Sequence, residues 1–358
     1  MNKTYVIAEA GVNHNGNEAL AFKLVDVACE AGADAVKFQT FKAKQLVTKE
    51  ARQANYQKIN TQKEETQHEM LSRLELSYEV HHQLRSYCAE KNIEFMSSAF
   101  DSESLYFLVN DLSLKTLKIP SGEITNAPFL LEHAKTGCHL ILSTGMANLA
   151  EIEAALGVIA FGYISSPTVQ PDIPAFYEAY LSDSGQKILQ EKVTLLHCTT
   201  EYPTPLDDVN LRAMDTLKSA FNLPVGYSDH TEGIFVPIAA VARGAVVIEK
   251  HFTLDKNMDG PDHKASLNPE ELKDMVKHIR ATERIMGSGI KGPRPSELSN
   301  KAIARKSLIA NVAIKQGDSF TDKNVSILRP GDGMTPFRYW ELLGSHATQD
   351  FEEGQLIK

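Results

Sequence analysis

The sequence lacks the features that mark several large classes of protein. Its four cysteines are widely spaced and form no C-x-x-C pair, which argues against a disulfide scaffold or a zinc ribbon and suits a reducing compartment. No stretch approaches the ~20 apolar residues of a membrane span, and residues 1–9 lack the apolar run of a signal peptide. Basic residues are in deficit: 37 Lys and Arg stand against 46 Asp and Glu, a net charge of −9, which disfavours general binding to nucleic acid or to an anionic membrane. We therefore expect a soluble, cytoplasmic protein.

Short β-branched segments recur along the chain, and most of them end in polar residues or glycine. We predict strands at residues 5–9, 35–39, 93–98, 116–119, 140–143, 193–197, 225–228 and 246–251. Amphipathic segments lie between most of them, and residues 19–31, 211–221, 234–242 and 269–286 each predict a helix. Apolar strands that alternate with helices are typical of an α/β protein with a parallel sheet. Eight such units within about 250 residues favour a closed (β/α)₈ TIM barrel over an open doubly wound sheet.

The composition changes after residue 286. We predict a catalytic barrel over residues 1–286, a Gly/Pro-rich linker over 287–301 and a small β-rich domain over 302–358. Two connections within the barrel are long. Residues 41–75 predict a polar, helical excursion near the barrel mouth, and residues 161–190 form a second insertion. Either segment could be a lid or an interface element.

In a barrel of this kind the chemistry lies at the C-terminal ends of the strands, and all eight predicted ends carry ionisable or hydrogen-bonding groups, which indicates an enzyme. His230 and His251 end the seventh and eighth strands, which are neighbours in a closed barrel. As neutral imidazoles they could share a divalent metal whose other positions are open to water or substrate. The alternative is a pair of hydrogen-bonding histidines without a metal.

Cations and hydroxyl groups occupy several other strand ends. Lys37 and Lys118, together with Ser98, Ser121 and Ser228, could hold a small dianion such as a phosphate ester that carries a carboxylate. A lysine within an apolar strand requires a partner, because an unpaired buried ammonium is costly. For Lys37 that partner could instead be Glu9 or Glu123 in an internal ion pair. A Schiff-base lysine is a third reading, which we rank last.

Carboxylates supply the acid–base candidates. Glu9 is flanked by alanines at the end of the first strand, so desolvation should raise its pKa toward the range of a general acid or base. Glu123 follows the fourth strand, and Asp262 lies on the loop after the eighth, where its alternative role is that of a turn former. Arg329 lies on a turn of the small domain and is either a surface residue or a fork for a substrate's carboxylate or hydroxyls. His14 is an additional, weaker candidate.

A set of ordered strings covers the chain: Ile7-Ala-Glu-Ala-Gly-Val-Asn-His-Asn-Gly16, Lys37-Phe-Gln-Thr40, Lys118-Ile-Pro-Ser-Gly-Glu123, Ser143-Thr-Gly-Met146, His197-Cys-Thr-Thr-Glu-Tyr-Pro-Thr-Pro205, Ser228-Asp-His-Thr231, Glu249-Lys-His-Phe-Thr253 and Gly260-Pro-Asp262. Ala304-Arg-Lys-Ser307 and Arg329-Pro-Gly-Asp-Gly333 follow in the tail. Together the strings resemble the bacterial sialic acid synthase (N-acetylneuraminate synthase) family, which includes legionaminic and pseudaminic acid synthases. The tail resembles that family's antifreeze-like (SAF) domain.

The resemblance implies condensation of phosphoenolpyruvate with N-acetylmannosamine and water to give N-acetylneuraminate and phosphate. It also implies a divalent metal on His230 and His251, with Mn²⁺ the first choice and Mg²⁺ or Co²⁺ as alternatives. It further implies a domain-swapped homodimer in which Arg329 reaches the partner's active site. Some relatives have Thr in place of Ser98, and an Asn near Thr199-Thr200 that contacts phosphoenolpyruvate; the threonines lack that amide, so the contact is not carried over.

By motif position, the resemblance also assigns roles to individual residues. The phosphoenolpyruvate contacts are Lys37, Ser98, Lys118, Ser121 and Ser228. The amino-sugar contacts are Gln39, Glu123, Tyr202 and Asp262. Glu9 would handle protons or the attacking water.

Three rival functions stay open at this point. The first is a legionaminic or pseudaminic acid synthase, which would use a 2,4-diacetamido-trideoxyhexose in place of N-acetylmannosamine. The legionaminic variant is a serious alternative because of two features, the segment Ile124-Thr-Asn-Ala-Pro128 and the long 161–190 insertion. The second rival is a non-catalytic sugar-binding barrel, and the third is a metallohydrolase, which the lack of an H-x-H pair at the first strand weakens.

Overall fold

A computed structural model describes residues 3–61 and 65–358 of the chain. The chain divides into two compact units, one up to Gly287 and the other from Ser288 to Lys358. Most of the segment predicted as a linker, 287–301, therefore groups with the second unit, and it includes a 3₁₀ turn at Pro295–Glu297. Among the residues described, every helix is too short or too polar to span a bilayer.

The first unit is built on parallel strands. They are β1 (Tyr5–Gly11), β2 (Ala35–Thr40), β3 (Glu94–Ala99), β4 (Thr116–Ile119), β5 (His139–Ser143), β6 (Val193–His197), β7 (Val225–Asp229) and β8 (Val247–His251). Within the described residues these strands pair in sequence order, and β1 also pairs with β8, so that the sheet closes into a barrel. The predicted TIM barrel is confirmed.

Helices lie between the strands and cover the sheet. They are α1 (Glu18–Glu30), α2 (Ala43–Leu46), α3 (Asn55–Thr61), α4 (Gln67–Leu74), α5 (Tyr78–Glu90), α6 (Ser102–Tyr106), α7 (Ala127–Lys135), α8 (Leu149–Ile164), α9 (Ile173–Leu181), α10 (Asp183–Lys192), α11 (Arg212–Phe221), α12 (Phe235–Ala242) and α13 (Pro269–Met286). A short π-helical segment, Phe107–Asp111, follows α6. The local sequence determines where several of these helices begin. For example, the Asn268 side chain accepts a hydrogen bond from Glu271 N at 2.9 Å, and Pro269 occupies the first turn of α13.

The inner face of the barrel changes character along its axis. Near the N-terminal ends of the strands lies a buried apolar layer, made of Ile7, Ala35, Met96, Ile141, Leu196 and Val247. Side chains of a strand alternate between its two faces, so the residues two positions further on share that inner face. Those residues are Glu9, Lys37, Ser98, Ser143, Cys198 and Glu249. The strands thus place a polar, charged layer directly above an apolar floor.

The outer face of the strands packs on the helices in one large apolar core. A fully buried ion pair lies on this face: Lys250 Nζ is 2.5 Å from Asp229 Oδ2, and both side chains are 0% exposed. Lys250 also donates to the Thr231 backbone oxygen, and Asp229 accepts hydrogen bonds from the backbone and hydroxyl of Thr231. This pair therefore joins β7 and β8 on the side opposite the charged inner layer.

The two long insertions occupy different places. The described residues of the segment 43–74, here called the excursion, form α2, α3 and α4. They pack onto Val12 and Phe41, at the C-terminal ends of β1 and β2, through Met70 and Leu74. The second insertion forms the end of α8 together with α9 and α10, which pack against α8 on the helical layer. The excursion is thus the insertion that lies at the barrel mouth.

The second unit has its own small core. Its elements are α14 (Leu298–Ala304), β9 (Ser307–Ala310), β10 (Val325–Leu328) and α15 (Tyr339–Leu342). Strands β9 and β10 pair antiparallel, and single bridges such as Ile309–Leu356 and Ile314–Phe351 extend the β structure. Its core comprises Leu308, Ala310, Ile314, Phe320, Val325, Leu342, Ala347, Phe351 and Ile357.

The Lys250–Asp229 pair gives the first prediction. Lys250→Ala should lower the free energy of unfolding by about 3–5 kcal/mol, because it leaves the Asp229 carboxylate buried without its cation. Circular dichroism during urea unfolding measures this change. Lys315→Ala, which breaks an exposed ion pair with Asp350, is the control and should leave the unfolding midpoint unchanged. A midpoint for Lys250→Ala equal to that of the control would contradict the prediction.

Candidate active site

A cavity of about 340 Å³ opens at the C-terminal ends of the strands. Most of the residues that we predicted from the sequence line it: Glu9, Lys37, Gln39, Lys118, Ser121, Glu123, Tyr202, Ser228, His230, His251 and Asp262. Ser98 lies behind this lining and accepts a hydrogen bond from Lys37 Nζ at 3.2 Å. Arg329 belongs to the second unit, where its Nε donates to the Ala304 backbone oxygen at 3.0 Å.

Buried lysines and glutamates form an ion network at the bottom of this cavity. The strand register places Glu9 beside Lys37 on one side and beside His251 on the other. Lys37 Nζ lies 2.6 Å from Glu9 Oε2 and 3.6 Å from Glu249 Oε2, and Lys118 Nζ lies 3.3 Å from Glu249 Oε1. Lys37 therefore forms the internal ion pair with Glu9 and also lines the cavity.

Glu249 was not among the predicted site residues. Besides both lysines, its carboxylate accepts a hydrogen bond from Ser228 Oγ at 2.9 Å, because β7 and β8 pair Ser228 with Glu249. A signal was available in the sequence. Glu249 stands two positions before His251 in a predicted strand, and residues two apart share a face. A carboxylate in such a strand requires a cation, and the lysines of β2 and β4 supply it.

The network shifts the pKa of each partner in a direction that follows from its surroundings. Burial acts to lower the pKa of Lys37, but the charges of Glu249 and Glu9 outweigh it and hold that pKa above its ordinary value. Burial raises the pKa of Glu9, and the neighbouring Lys37 offsets this only in part. For Glu249 the two lysines overcome burial, so its pKa is lowered. Glu9 is thus the carboxyl that can change its protonation state near neutral pH, while Glu249 stays charged.

The two histidines lie side by side in the cavity wall, with ring centroids 5.7 Å apart. His230 Nδ1 lies 2.6 Å from the Thr199 backbone oxygen, which assigns the proton to Nδ1 and leaves Nε2 as the acceptor. Burial lowers the pKa of both rings, and for His251 the neighbouring His230 lowers it further. Both imidazoles are therefore neutral, the form that binds a metal.

These residues fit a metal site with few protein ligands. His251 Nδ1 is buried and has no hydrogen-bond partner among the described residues. Those residues contain no group of three or more His, Cys, Asp or Glu side chains with the geometry to hold an ion. The chain thus offers two nitrogen donors, and any remaining ligands would be water or substrate oxygens.

Two glycines make room for this arrangement. Gly11 has a φ of +52°, and a Cβ there would lie 3.2 Å from His251 Cε1 and 3.3 Å from Glu9 Oε1. A Cβ on Gly145 would come within 2.8 Å of Ser121 Oγ and 2.5 Å of Thr200 Oγ1. Any larger residue at these positions would displace side chains of the cavity.

Other predicted residues line the upper part of the cavity. Gln39 Nε2 donates to Glu9 Oε1 at 3.4 Å, and Glu123 Oε2 accepts from Asn126 Nδ2 at 2.7 Å. The Tyr202 ring stacks on His230 with centroids 4.1 Å apart. Asp262 is buried on the loop after β8, and desolvation raises its pKa to about 6.

His14, the additional candidate, is buried close to Phe38, and the cavity-lining residues do not include it. Its Nδ1 accepts a hydrogen bond from Gly16 N at 3.0 Å, and burial lowers its pKa to about 3. Its position is that of a structural histidine in a turn.

Sequence reasoning missed several further lining residues. Ser143, Cys198 and Thr200 are polar side chains near the strand ends, and Ser121 Oγ lies 3.2 Å from Cys198 Sγ. Leu46, Val47, Met70, Leu71 and Leu74 of the excursion form one side of the cavity together with Phe100. Apolar residues within a polar connection do not indicate a binding site in the sequence. They reach the mouth of the barrel only because the excursion folds over it.

Comparison with known proteins places this site in context. A sequence profile of the NeuB family matches residues 24–291. Over the full length of both chains, the sequence is 50% identical to an N,N'-diacetyllegionaminic acid synthase of Campylobacter jejuni subsp. jejuni serotype O:2. It is 47% identical to a Legionella pneumophila protein of the same name, over 99% of this chain and 93% of that one. Among solved structures, an N-acetylneuraminic acid (sialic acid) synthetase of Leptospira borgpetersenii, in complex with citrate, matches with a TM-score of 0.67 at 32% identity, over 84% of this chain and 90% of that one.

The burial of Asp262 gives the second prediction. Its carboxyl should titrate near pH 6, above the ordinary value of 3.8. Carbon-13 NMR of protein labelled at aspartate measures the titration, and Asp262→Asn identifies the signal. Because the folded pKa is raised, the stability that the protonated group contributes at low pH is lost between pH 3.8 and about 6. Asp262→Asn should remove this loss, and a titration in the ordinary range would show that water reaches the group.

Proposed function

Because the chain belongs to the NeuB family, we propose that it condenses phosphoenolpyruvate with a 2,4-diacetamido-trideoxyhexose and water, giving a legionaminic-acid-type 2-keto acid and phosphate. An enzyme of the NeuB type agrees with the family match and the relatives. The expectation of N-acetylmannosamine as the sugar is supported only at the level of the family. The legionaminic alternative is favoured because both of the more similar relatives described above are N,N'-diacetyllegionaminic acid synthases.

The observation that carries the proposal is the buried ion network beneath two neutral histidines. Lys37 and Lys118 are held by Glu9 and Glu249 at the bottom of the cavity, and Ser121 and Ser228 line the same space. Desolvated cations whose positions are fixed in advance bind an anion strongly. We assign phosphoenolpyruvate to these lysines and serines, with Ser98 orienting Lys37.

The protein would direct the reaction through the placement and protonation of its own side chains. The electrons of the C2–C3 double bond of phosphoenolpyruvate form the bond from its carbon 3 to the aldehyde carbon of the open-chain sugar, while the aldehyde C=O double bond opens and its oxygen takes up a proton. Water adds to carbon 2, and the C2–O bond to phosphate then breaks, which leaves the 2-keto group and phosphate. Glu9 has a raised pKa and is the group we assign to take the proton from that water. The charge of Lys37 beside it stabilises the carboxylate before the proton is transferred.

We assign the metal site to His230 and His251, with Mn²⁺ as the first choice and Mg²⁺ or Co²⁺ as alternatives. When bound there, the ion would polarise the sugar aldehyde as a Lewis acid. The Thr199 carbonyl would keep the His230 ring oriented. Gln39, Glu123, Tyr202 and Asp262 are assigned to the hydroxyl and amide groups of the sugar.

The second unit extends the proposal to the assembly. We propose that its β9–β10 core is the antifreeze-like (SAF) domain of the family, in a domain-swapped homodimer. In that dimer, Arg329 of each chain would enter the cavity of the other copy and bind the substrate with its planar guanidinium group. Catalytic activity would then require two copies, so activity per chain should fall on dilution below the dissociation constant of the dimer.

Phosphate release gives the third prediction and tests the substrate. With phosphoenolpyruvate and Mn²⁺, kcat/KM should be at least about 10-fold higher for 2,4-diacetamido-2,4,6-trideoxymannose than for N-acetylmannosamine. Lys118→Met is the control and should abolish release with either sugar, because it removes a cation from the anion site. Higher activity with N-acetylmannosamine than with the trideoxy sugar would indicate that the protein is a sialic acid synthase. Release with no sugar at all would refute the condensation.

The metal assignment gives the fourth prediction. Isothermal titration of Mn²⁺ should show one site per chain, and His230→Ala or His251→Ala should weaken binding by more than about 100-fold. His278→Ala, on the exposed side of α13, should bind as the wild type does. Unchanged binding in both cavity variants would restore the alternative of two hydrogen-bonding histidines.

A further inference from the structure

The cavity has two chemically different parts. Its bottom is charged, with Lys37, Lys118, Glu9 and Glu249. One side of its upper part is apolar and consists of Leu46, Val47, Met70, Leu71, Leu74 and Phe100, here called the apolar wall. All but Phe100 come from the excursion. Two further described residues of the excursion, Gln57 and Gln67, line the cavity with neutral amides, so none of the excursion's described residues brings a charge to it.

The apolar wall is held in place from behind. Met70 and Leu74 are buried against Val12 and Phe41, and Leu46, Leu71 and Phe100 pack on that cluster. A capping box fixes the start of α4: Thr66 Oγ1 accepts from Glu69 N, and the Glu69 carboxylate accepts from Thr66 N at 2.8 Å. Asn60 Nδ2 donates to the Pro261 backbone oxygen at 2.7 Å, which ties the excursion to the loop that carries Asp262.

The depth of the charged groups sets the orientation of the sugar under the function proposed above. Phosphoenolpyruvate takes the bottom of the cavity, so the sugar enters above it with its aldehyde carbon pointing inward. Carbons 4 to 6 then lie toward the mouth, at the level of the excursion. We propose that the apolar wall selects the sugar, by packing on the carbon-6 methyl group that distinguishes a trideoxyhexose from its 6-hydroxy counterpart.

This selection depends on hydrogen bonding, because a hydroxyl group at carbon 6 would have no hydrogen-bond partner in the apolar wall. A methyl group buried against leucine, valine and methionine gains apolar contact. A hydroxyl group in the same place loses its hydrogen bonds to water, and these aliphatic side chains cannot replace them. An apolar pocket distinguishes such groups by about 10- to 100-fold. The wall therefore accounts for selection at a position far from the reacting carbons.

A matched pair of substitutions at Leu71 tests this inference. Leu71 is half-buried on α4, and glutamine and methionine have the same length but differ in polarity. The substrates are 2,4-diacetamido-2,4,6-trideoxymannose and its 6-hydroxy counterpart, and phosphate release gives kcat/KM for each. We expect the wild type and Leu71→Met to prefer the deoxy sugar by about 10-fold or more. Leu71→Gln should reduce the preference to within about threefold, through KM for the sugar, with KM for phosphoenolpyruvate unchanged.

Ser72→Asn, one position further along α4 and exposed, is the control for changes to the helix itself and should keep the wild-type preference. Thermal melting checks that each variant folds. If Leu71→Gln does not fold, Val47→Thr makes the same test with a residue of equal shape. Equal use of both sugars by the wild type, or an equal loss for both sugars in the folded Leu71→Gln variant, overturns this inference alone. A wild type that releases phosphate with neither sugar overturns the proposed function, and this inference falls with it.

Discussion

The pairing of two lysines with two glutamates inside a closed barrel is the interaction on which the rest of the site depends. An unpaired ammonium group at the position of Lys37 would be destabilising, because the site is buried and shielded from water. Glu9 and Glu249 remove that penalty, and the register of β1, β2 and β8 puts each group beside its partner. Under the proposed function, the same pairing also fixes both ammonium groups in position before an anionic substrate binds, so that the protein does not have to reorganise around it.

Much of the barrel could be predicted from the sequence, since buried parallel strands leave apolar runs that end in polar residues. The positions of His230, His251 and Lys118 at those ends followed from the same pattern. The pairing of charges followed only in part, because it depends on neighbours in the sheet. The sequence offered Glu9 or Glu123 as partners of Lys37, whereas in the structure Lys37 pairs with Glu9 and Glu249, and Glu123 accepts from Asn126.

The upper part of the cavity was least accessible to sequence reasoning. The excursion is rich in polar residues, and Met70, Leu71 and Leu74 have the spacing of a short amphipathic helix, which indicates packing and does not by itself indicate a binding site. Their place becomes visible only when α2 and α4 pack over the ends of β1 and β2. For Arg329 the structure shows a contact within the second unit, with the Ala304 backbone oxygen, and its proposed role toward a substrate rests on the resemblance to the family.

Strand β8 shows how tightly such a barrel restricts change. Glu249 and His251 face the cavity, while Lys250 between them pairs with Asp229 in the layer behind. Loss of a single residue upstream of this strand would turn Lys250 inward and direct a carboxylate and an imidazole into the helical core. A change of length in the exposed insertion of α9 and α10 would leave these side chains in place, whereas a deletion just before β8 would remove the proposed metal and anion sites in one step.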